Sequence, residues 1–245
     1  MSPVWSADCI AAAALLGTGA VGVLAALVRP ERRSERAARE GGTVFLPERI
    51  MHGGHSLAAP VIRLAVTCRV PPDAITWMSL VPGFAAGLAV ACGHAGFSAW
   101  LLALSGLCDL LDGAVARAIG RTSAAGAALD SILDRYVEFF FLAGLVWFFV
   151  GSPYLQLLTM TALFGSFMVT YSTAKAEALG VAPPRGWMKR PERVVWLIAS
   201  SAVAGVVPAA GWPARPVLAV GTGIIAVFAN LSAGVRLIAL RRSAG

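Results

Sequence analysis

Seven apolar stretches dominate this chain of 245 residues, and each is long enough, or nearly so, to cross a hydrocarbon core about 30 Å thick. The stretches are Cys9–Val28, Ile75–Cys92, Phe97–Ala116, Leu129–Val150, Leu155–Ala176, Val194–Ala210 and Val217–Leu240. Only 13% of the residues are charged, which is about half of what covers a soluble domain. We therefore expect an all-α, polytopic membrane helix bundle with six core transmembrane helices and one extra N-terminal span.

The region between the first two stretches differs from a span. Residues 45–70 are apolar but interrupted by arginines, which is typical of an amphipathic helix lying beside the membrane surface. We expect residues 1–44 to form the extra N-terminal transmembrane helix with a basic linker. Residues 45–245 would then form the main membrane domain.

Basic residues predict the orientation. The segment RPERRSERAARE follows the first stretch, so the positive-inside rule places the N-terminus outside and Arg29 at the start of a cytoplasmic segment. Of the 20 Lys and Arg residues, only Arg215 then falls outside. The chain is predicted to be an integral protein of a bacterial-type inner or plasma membrane.

Acidic residues are concentrated where an apolar segment should not contain them. Five of the 13 lie between Asp109 and Glu138, and an ionised Asp at the centre of a membrane helix costs about 2.5–3.5 kcal/mol. Their spacing places Asp109, Asp112, Gly113 and Ala116 on one helical stripe, and Gly126, Asp130 and Asp134 on a stripe of the next helix. A structural ion pair, such as Asp134 with Arg117, would account for only one of these carboxylates.

These two acidic stripes predict a metal site at the cytoplasmic end of the bundle. A short turn makes the two helices antiparallel neighbours, so that their carboxylates can converge and hold Mg²⁺ or Mn²⁺. The small side chains of Gly113, Ala116 and Gly126 leave room beside the metal for a bulky anionic substrate. Arg117 would contact its phosphates.

The string DLLDGAVARAIGRTSAAGAALDSILD matches the pattern D-x2-D-G-x2-A-R-x8-G-x3-D-x3-D at every fixed position. It resembles the signature of the CDP-alcohol phosphotransferases, the membrane enzymes that make phospholipid headgroups. The resemblance implies a two-metal site at the cytoplasmic face, release of CMP, a lipid bilayer around the protein and a homodimer, with no nucleic-acid partner.

The resemblance also implies roles for single residues. Asp109, Asp112 and Asp130 would bind the metal ions, and Asp134 would complete the site and act as the base. The CDP-linked donor would be bound by Thr76, Gly113, Ala116 and Arg117. The extra span Cys9–Val28 departs from the common six-span layout of this family.

The second half of the chain resembles one branch of the family, the phosphatidylinositol phosphate synthases. TAKAEALG and KRPERVV are similar to stretches of that branch, so a phosphorylated, inositol-phosphate-like alcohol is the expected acceptor for a phosphatidyl group from CDP-diacylglycerol. The residues predicted to bind it are Thr170, Lys175, Arg190, Arg193 and Arg236. Thr173 departs from the branch, which carries a lysine there.

Two alternatives stay open. A donor of the CDP-choline, CDP-ethanolamine or CDP-inositol type could be used with a different acceptor, since such enzymes share the motif. An ion-coupled transporter could also use intramembrane acids, although it predicts inverted repeats that are not evident. Glu138, outside the motif, either pairs with a basic residue such as Arg193 or Arg236, or faces the membrane as a neutral acid.

Overall fold

The computed structural model describes residues 6–28, 59–182 and 186–243, which are mostly helical and contain no strand. These residues form eight helices and one short 3-10 turn. The helices are α1 (Ala7–Val28), α2 (described over residues 59–67), α3 (Pro72–Ala91), α4 (Ala95–Ala118), α5 (Ala124–Phe148), α6 (Pro153–Ala178), α7 (Arg190–Val206) and α8 (Ala214–Ser243), and the 3-10 turn is Val207–Ala210.

The all-α membrane fold class is confirmed, because each of the seven apolar stretches coincides with a helix to within a few residues. Among the described residues, α3, α4, α6, α8 and α7 with its 3-10 turn are long and apolar enough to cross a membrane. α5 is as long, but it carries the charged residues of the acidic motif. How many helices span the membrane therefore stays a prediction.

The predicted surface helix is described only in part. Residues 59–67 are helical, as expected for a stretch within 45–70. Residues 45–58 lie outside the described residues, and so does the domain boundary predicted between residues 44 and 45.

Helix α3 determines where the two acidic helices lie. It packs along both α4 and α5, whereas α4 and α5 contact each other only slightly. Its approach to α5 depends on glycine, since a Cβ on Gly87 would meet the Phe140 backbone and a Cβ on Gly144 would meet the Gly87 carbonyl. The acidic helices are thus positioned by a shared neighbour more than by each other.

Helix α7 connects the two halves of the bundle. It packs on α4 and on α8, and α8 packs in turn along α6. Leu102, Leu142, Leu197 and Leu218 lie fully buried in the core that α4, α5, α7 and α8 share. Arg190, the first residue of α7, contacts Asp109 in the C-terminal half of α4, so these two helix ends lie at the same end of the bundle.

Helix α1 is attached to this bundle at its N-terminal end. The Asp8 carboxylate accepts hydrogen bonds from the backbone N–H groups of Gly96 (3.0 Å) and Phe97 (2.8 Å). These N–H groups lie in the first turn of α4 and therefore have no acceptor within the helix. Ala12 is fully buried where Gly96 and Gly205 allow α1, α4 and α7 to approach closely. The extra helix is therefore docked at the end of α4 that lies farthest from the acidic motif.

Candidate metal and substrate site

Three carboxylates converge between α4 and α5. Oxygen atoms of Asp109, Asp112 and Asp130 all lie within 4.8 Å of one another. Among the described residues, Asp112 Oδ2 and Asp130 Oδ1 are buried without a hydrogen-bond partner. Buried polar atoms normally have partners, and unpaired carboxylate oxygens at this spacing suit a hard divalent cation. The residues present therefore fit the predicted Mg²⁺ or Mn²⁺.

The turn between the two helices explains this convergence. α4 ends at Ala118 and is followed by Gly120, whose φ of +67° is a left-handed conformation that glycine adopts without steric cost. Ser123 then caps α5 by accepting a hydrogen bond from the Gly126 N–H at 3.0 Å. A turn this short places the last three turns of α4 and the first three turns of α5, which carry the motif carboxylates, at the same end of the bundle.

Asp134 lies outside the group of three carboxylates and is paired with an arginine instead. It is 8% exposed, and its carboxylate forms an ion pair with the guanidinium of Arg190. The same guanidinium contacts Asp109 Oδ2 through Nη1 at 3.0 Å. Arg190, predicted from the resemblance to bind the acceptor, thus connects the two acidic helices.

The residues predicted to bind the donor surround this group. Thr76 of α3 is 5% exposed, and its hydroxyl group donates to the Pro72 carbonyl at 3.1 Å. The same hydroxyl group lies close enough to the Asp112 carboxylate to interact with it. Gly113 and Ala116 are half-buried on α4, and Arg117 is exposed in its last turn. The structure therefore places all four of these residues beside or just beyond the carboxylates.

Glu138 and Arg193 form a buried pair behind Asp134. Arg193 donates from Nε to Oε1 at 2.6 Å and from Nη2 to Oε2 at 2.8 Å, and its Nη1 donates to the Met188 carbonyl at 2.7 Å. Arg193 is 1% exposed and Glu138 is 4% exposed. Of the two interpretations of Glu138, the structure supports the pairing with a basic residue.

The remaining predicted acceptor residues are divided between two places. Arg236 is 3% exposed and donates from Nη1 to the Thr173 hydroxyl at 2.7 Å. Thr170 lies one turn before Thr173 on α6, and its hydroxyl group donates to the Ser166 carbonyl at 3.2 Å. Lys175 is exposed, and within the described ranges no hydrogen bond or ion pair joins it to the arginines. The structure thus brings Thr170 near Arg236 but does not bring Lys175 into contact with it.

Sequence reasoning missed the turn that precedes α7. Met188 is fully buried with a φ of +52°, and Ser232 donates to the Trp187 carbonyl at 2.7 Å. A non-glycine residue in this conformation leaves no local sequence signal. The only available signal was the basic segment KRPER itself, which topology alone could explain.

A membrane helix bundle that gathers carboxylates with unpaired oxygens beside buried arginines is typical of a metal-dependent enzyme that acts on a phosphorylated substrate. The chain belongs to the CDP-alcohol phosphatidyltransferase family, whose model matches residues 69–232. It is therefore a membrane phosphotransferase, as the motif predicted.

Similar proteins point to one branch of this family. The chain is 35% identical over 152 residues to a phosphatidylinositol phosphate synthase of Mycobacteroides abscessus, covering 59% of this chain and 66% of that protein. It is 38% identical over 148 residues to an archaetidylinositol phosphate synthase of Methanothermobacter thermautotrophicus, covering 58% of this chain and 74% of that protein. The chain thus spans just under two thirds of the length of the first relative.

Solved structures of a phosphatidylinositol phosphate synthase are also similar to this chain. A crystal structure of the Mycobacterium tuberculosis phosphatidylinositol phosphate synthase with CDP-DAG bound has a TM-score of 0.68 and 28% identity, covering 76% of this chain and 94% of that chain. A second structure of that enzyme, in complex with manganese and citrate, also has a TM-score of 0.68 and covers 74% of this chain and 88% of that chain. The manganese belongs to that enzyme, and the group of three carboxylates in this chain agrees with the predicted use of Mg²⁺ or Mn²⁺.

Proposed function

We propose that this enzyme transfers a phosphatidyl group from CDP-diacylglycerol to a phosphorylated alcohol of the inositol phosphate type and releases CMP. The observation that carries the proposal is the group formed by Asp109, Asp112 and Asp130, with two buried oxygens that lack a partner among the described residues. A cation held there would neutralise the diphosphate of a CDP-linked donor.

The donor is assigned to the side of α4 that carries small residues. Gly113 and Ala116 leave space beside the carboxylates, and Thr76 lies close enough to Asp112 to contact the cytosine of a nucleotide bound there. Arg117, in the last turn of α4, can pair with a phosphate oxygen. These four residues would orient the donor with its β-phosphorus towards Asp134.

Asp134 is assigned the proton transfer. An acceptor hydroxyl has a pKa far above neutrality, so it needs a positioned carboxylate to take its proton as the new bond forms. The hydroxyl oxygen attacks the β-phosphorus, the bond from that phosphorus to CMP breaks, and the proton goes to Asp134. Arg190 holds this carboxylate in place through its ion pair.

The acceptor phosphate is assigned to the region of Arg236. Its Nε is buried without a hydrogen-bond partner in the described part of the chain, so a phosphate oxygen could fill that position. The named activities of the two similar synthases share inositol phosphate and differ in the lipid part. Inositol phosphate is therefore the best guide to the acceptor. Thr170 and Thr173 provide hydroxyl groups near Arg236.

Other donors and acceptors are less consistent with this site. Diacylglycerol as acceptor, with CDP-choline or CDP-ethanolamine as donor, would bring no phosphate oxygen to the buried Nε of Arg236. A CDP-inositol donor is compatible with the same carboxylates and is the second candidate. The chain is also 41% identical over 104 residues to a bifunctional IPC transferase and DIPP synthase of Aquifex aeolicus, a match that covers 42% of this chain and 24% of that protein. Membership of this enzyme family gives no support to an ion-coupled transporter.

The orientation of the chain follows from the same proposal. The C-terminus of α4 and the N-termini of α5 and α7 lie together at the acidic site, while Asp8 and Arg215 lie at the other end of the bundle. With the basic residues at the site end, we place the site at the cytoplasmic face and the N-terminus outside. A homodimer, as the family resemblance implies, is part of the proposal.

The proposal is tested by measuring CMP release from purified protein with radiolabelled CDP-diacylglycerol. The acceptors compared are inositol phosphate, free inositol and glycerol 3-phosphate, and a separate reaction contains CDP-choline with diacylglycerol. We expect release to be fastest with inositol phosphate and absent from the Asp130→Asn variant. Faster release with the CDP-choline mixture, or with free inositol, would overturn the proposed acceptor.

A further inference from the structure

The turn that leads into α7 is held at two successive peptide groups, by three side chains. Ser232 donates to the Trp187 carbonyl, Arg193 donates to the Met188 carbonyl, and the Glu192 carboxylate accepts from the Lys189 N–H at 2.9 Å. Met188 needs such support, because a left-handed backbone is strained for a residue that carries a Cβ. The conformation of this turn therefore depends on side chains that bind it from outside.

Arg190 is the first residue after this turn, and its contacts depend on where α7 begins. Its guanidinium contacts Asp109 on α4 and Asp134 on α5, while its Nε has no hydrogen-bond partner among the residues that the structure describes. A helix turns about 100° per residue, so a small change at the start of α7 would direct this side chain away from both acids. The turn at Met188 thus controls how Arg190 meets the acidic site.

Arg193 is in turn oriented by Glu138. The two side chains meet through two parallel hydrogen bonds, which fix the plane of the guanidinium and direct its remaining Nη1 at Met188. Glu138 lies on α5 one helical turn after Asp134, so the helix that carries the acids also carries the anchor for α7. A buried pair of this kind is weak evidence for stability alone and is better explained by specificity of placement.

We propose that Glu138 is a positioning residue that acts through Arg193 and the Met188 turn to place Arg190 between Asp109 and Asp134. Glu138 itself contacts Arg193 and forms no ion pair with Arg190, so it acts on the acidic site only through Arg193. Its effect is to couple the start of α7 to α5, so that the Arg190 guanidinium keeps one position beside the carboxylates. The inference concerns the geometry of the acidic site and depends on the proposed function only where turnover is measured.

The test uses substitutions that keep the charge of the pair and remove only its geometry. Glu138→Asp shortens the carboxylate arm by one methylene, and Arg193→Lys removes the planar fork that reaches Glu138 and Met188 together. Neither leaves an unpaired buried charge, so both variants should fold. Asp8→Asn, at the far end of α4, is the control for general loss of stability.

The first measurement is Mn²⁺ binding to the purified full chain, which needs no substrate. Arg190→Gln should tighten Mn²⁺ binding about fivefold, because a competing cation is removed from a partly exposed group of carboxylates. Glu138→Asp and Arg193→Lys should shift the dissociation constant in the same direction by at least about twofold. When either substitution is combined with Arg190→Gln, the Mn²⁺ dissociation constant should equal that of Arg190→Gln alone, since the coupling acts through Arg190. Asp8→Asn should leave it unchanged.

The second measurement is the rate of CMP release in the same variants. Glu138→Asp and Arg193→Lys should lower kcat, with the KM for CDP-diacylglycerol nearly unchanged, and should add nothing to the loss in Arg190→Gln. The inference is overturned if the Mn²⁺ shifts persist in the Arg190→Gln background, or if Arg190→Gln alone leaves Mn²⁺ binding unchanged. Failure of the proposed function would instead appear as absent turnover with the Mn²⁺ couplings intact.

Discussion

Arg236 of α8 donates a hydrogen bond to the Thr173 hydroxyl of α6 over 2.7 Å, while its buried Nε has no hydrogen-bond partner among the described residues. Arg236 is 3% exposed, and the buried carboxylate of Glu192 lies close enough to interact with its charge. A buried donor that is left without an acceptor costs about 1–3 kcal/mol. In the proposed function, an oxygen of the acceptor phosphate binds to this Nε.

Arg236→Gln should therefore weaken acceptor binding selectively. A hydrogen bond to a charged group contributes about 1.5–3 kcal/mol, so the KM for inositol phosphate should rise by about ten- to a hundredfold. The KM for CDP-diacylglycerol should change little, because the donor residues lie on α3 and α4. Steady-state CMP release at varied acceptor and donor checks both values. Arg215→Gln, which removes a guanidinium that binds the Phe149 carbonyl at the other end of the bundle, is the control.

Asp130→Asn should abolish turnover while the protein stays in the membrane. An amide cannot supply the anionic oxygen that a hard divalent cation needs, and a bound cation supplies several kcal/mol, so the rate should fall at least about a hundredfold. Mn²⁺ binding should weaken in parallel, which separates loss of metal from loss of fold. CMP release close to that of the unchanged protein would remove Asp130 from the metal site.

Asp134→Asn should lower the rate but leave donor binding largely intact. Asp134 lies against Arg190 and outside the group of three carboxylates, so its loss should not remove the cation that the donor diphosphate needs. Binding of CDP-diacylglycerol can be measured without turnover and compared with kcat. A loss of donor affinity equal to the loss in rate would identify Asp134 as a metal ligand.

These carboxylates could be predicted from the sequence because their arrangement is local. Asp109 and Asp112 share a stripe by helix periodicity, and a short glycine-containing turn returns the chain to Asp130. The same holds for the fold class, since each membrane helix is visible as its own apolar stretch. What lies within one helix or across one short turn is encoded by spacing alone.

The contacts of the basic segment could not be predicted in this way. Glu138 and Arg193 are 55 residues apart, and Arg236 and Thr173 are 63 residues apart. Which arginine meets which partner depends on how α5, α6, α7 and α8 pack, and on the left-handed turn at Met188, and neither follows from periodicity. The positive-inside rule accounts for the presence of these arginines but not for their partners.

Asp8→Ala should destabilise the protein without changing its kinetics. The substitution removes two hydrogen bonds to the first N–H groups of α4, and the loss of such a cap costs about 0.5–2 kcal/mol. The unfolding temperature in detergent should fall, while the KM values and kcat at a lower temperature stay near those of the unchanged enzyme. An altered KM for the donor would show that α1 affects the distant end of α4.

Thr173→Lys tests where the acceptor phosphate lies. The new ammonium group would stand beside Arg236, so without ligand the two positive charges should repel each other and lower the unfolding temperature. If the phosphate binds between them, inositol phosphate should raise that temperature more in the variant than in the unchanged protein. Its KM should then fall about fivefold, as expected for one added ion pair of moderate exposure, while the KM for free inositol should not fall. Thr173→Met, similar in length but uncharged, is the matched control. Slower turnover with both acceptors, together with no additional stabilisation by inositol phosphate, would place the phosphate elsewhere and leave Thr173 as a structural partner of Arg236.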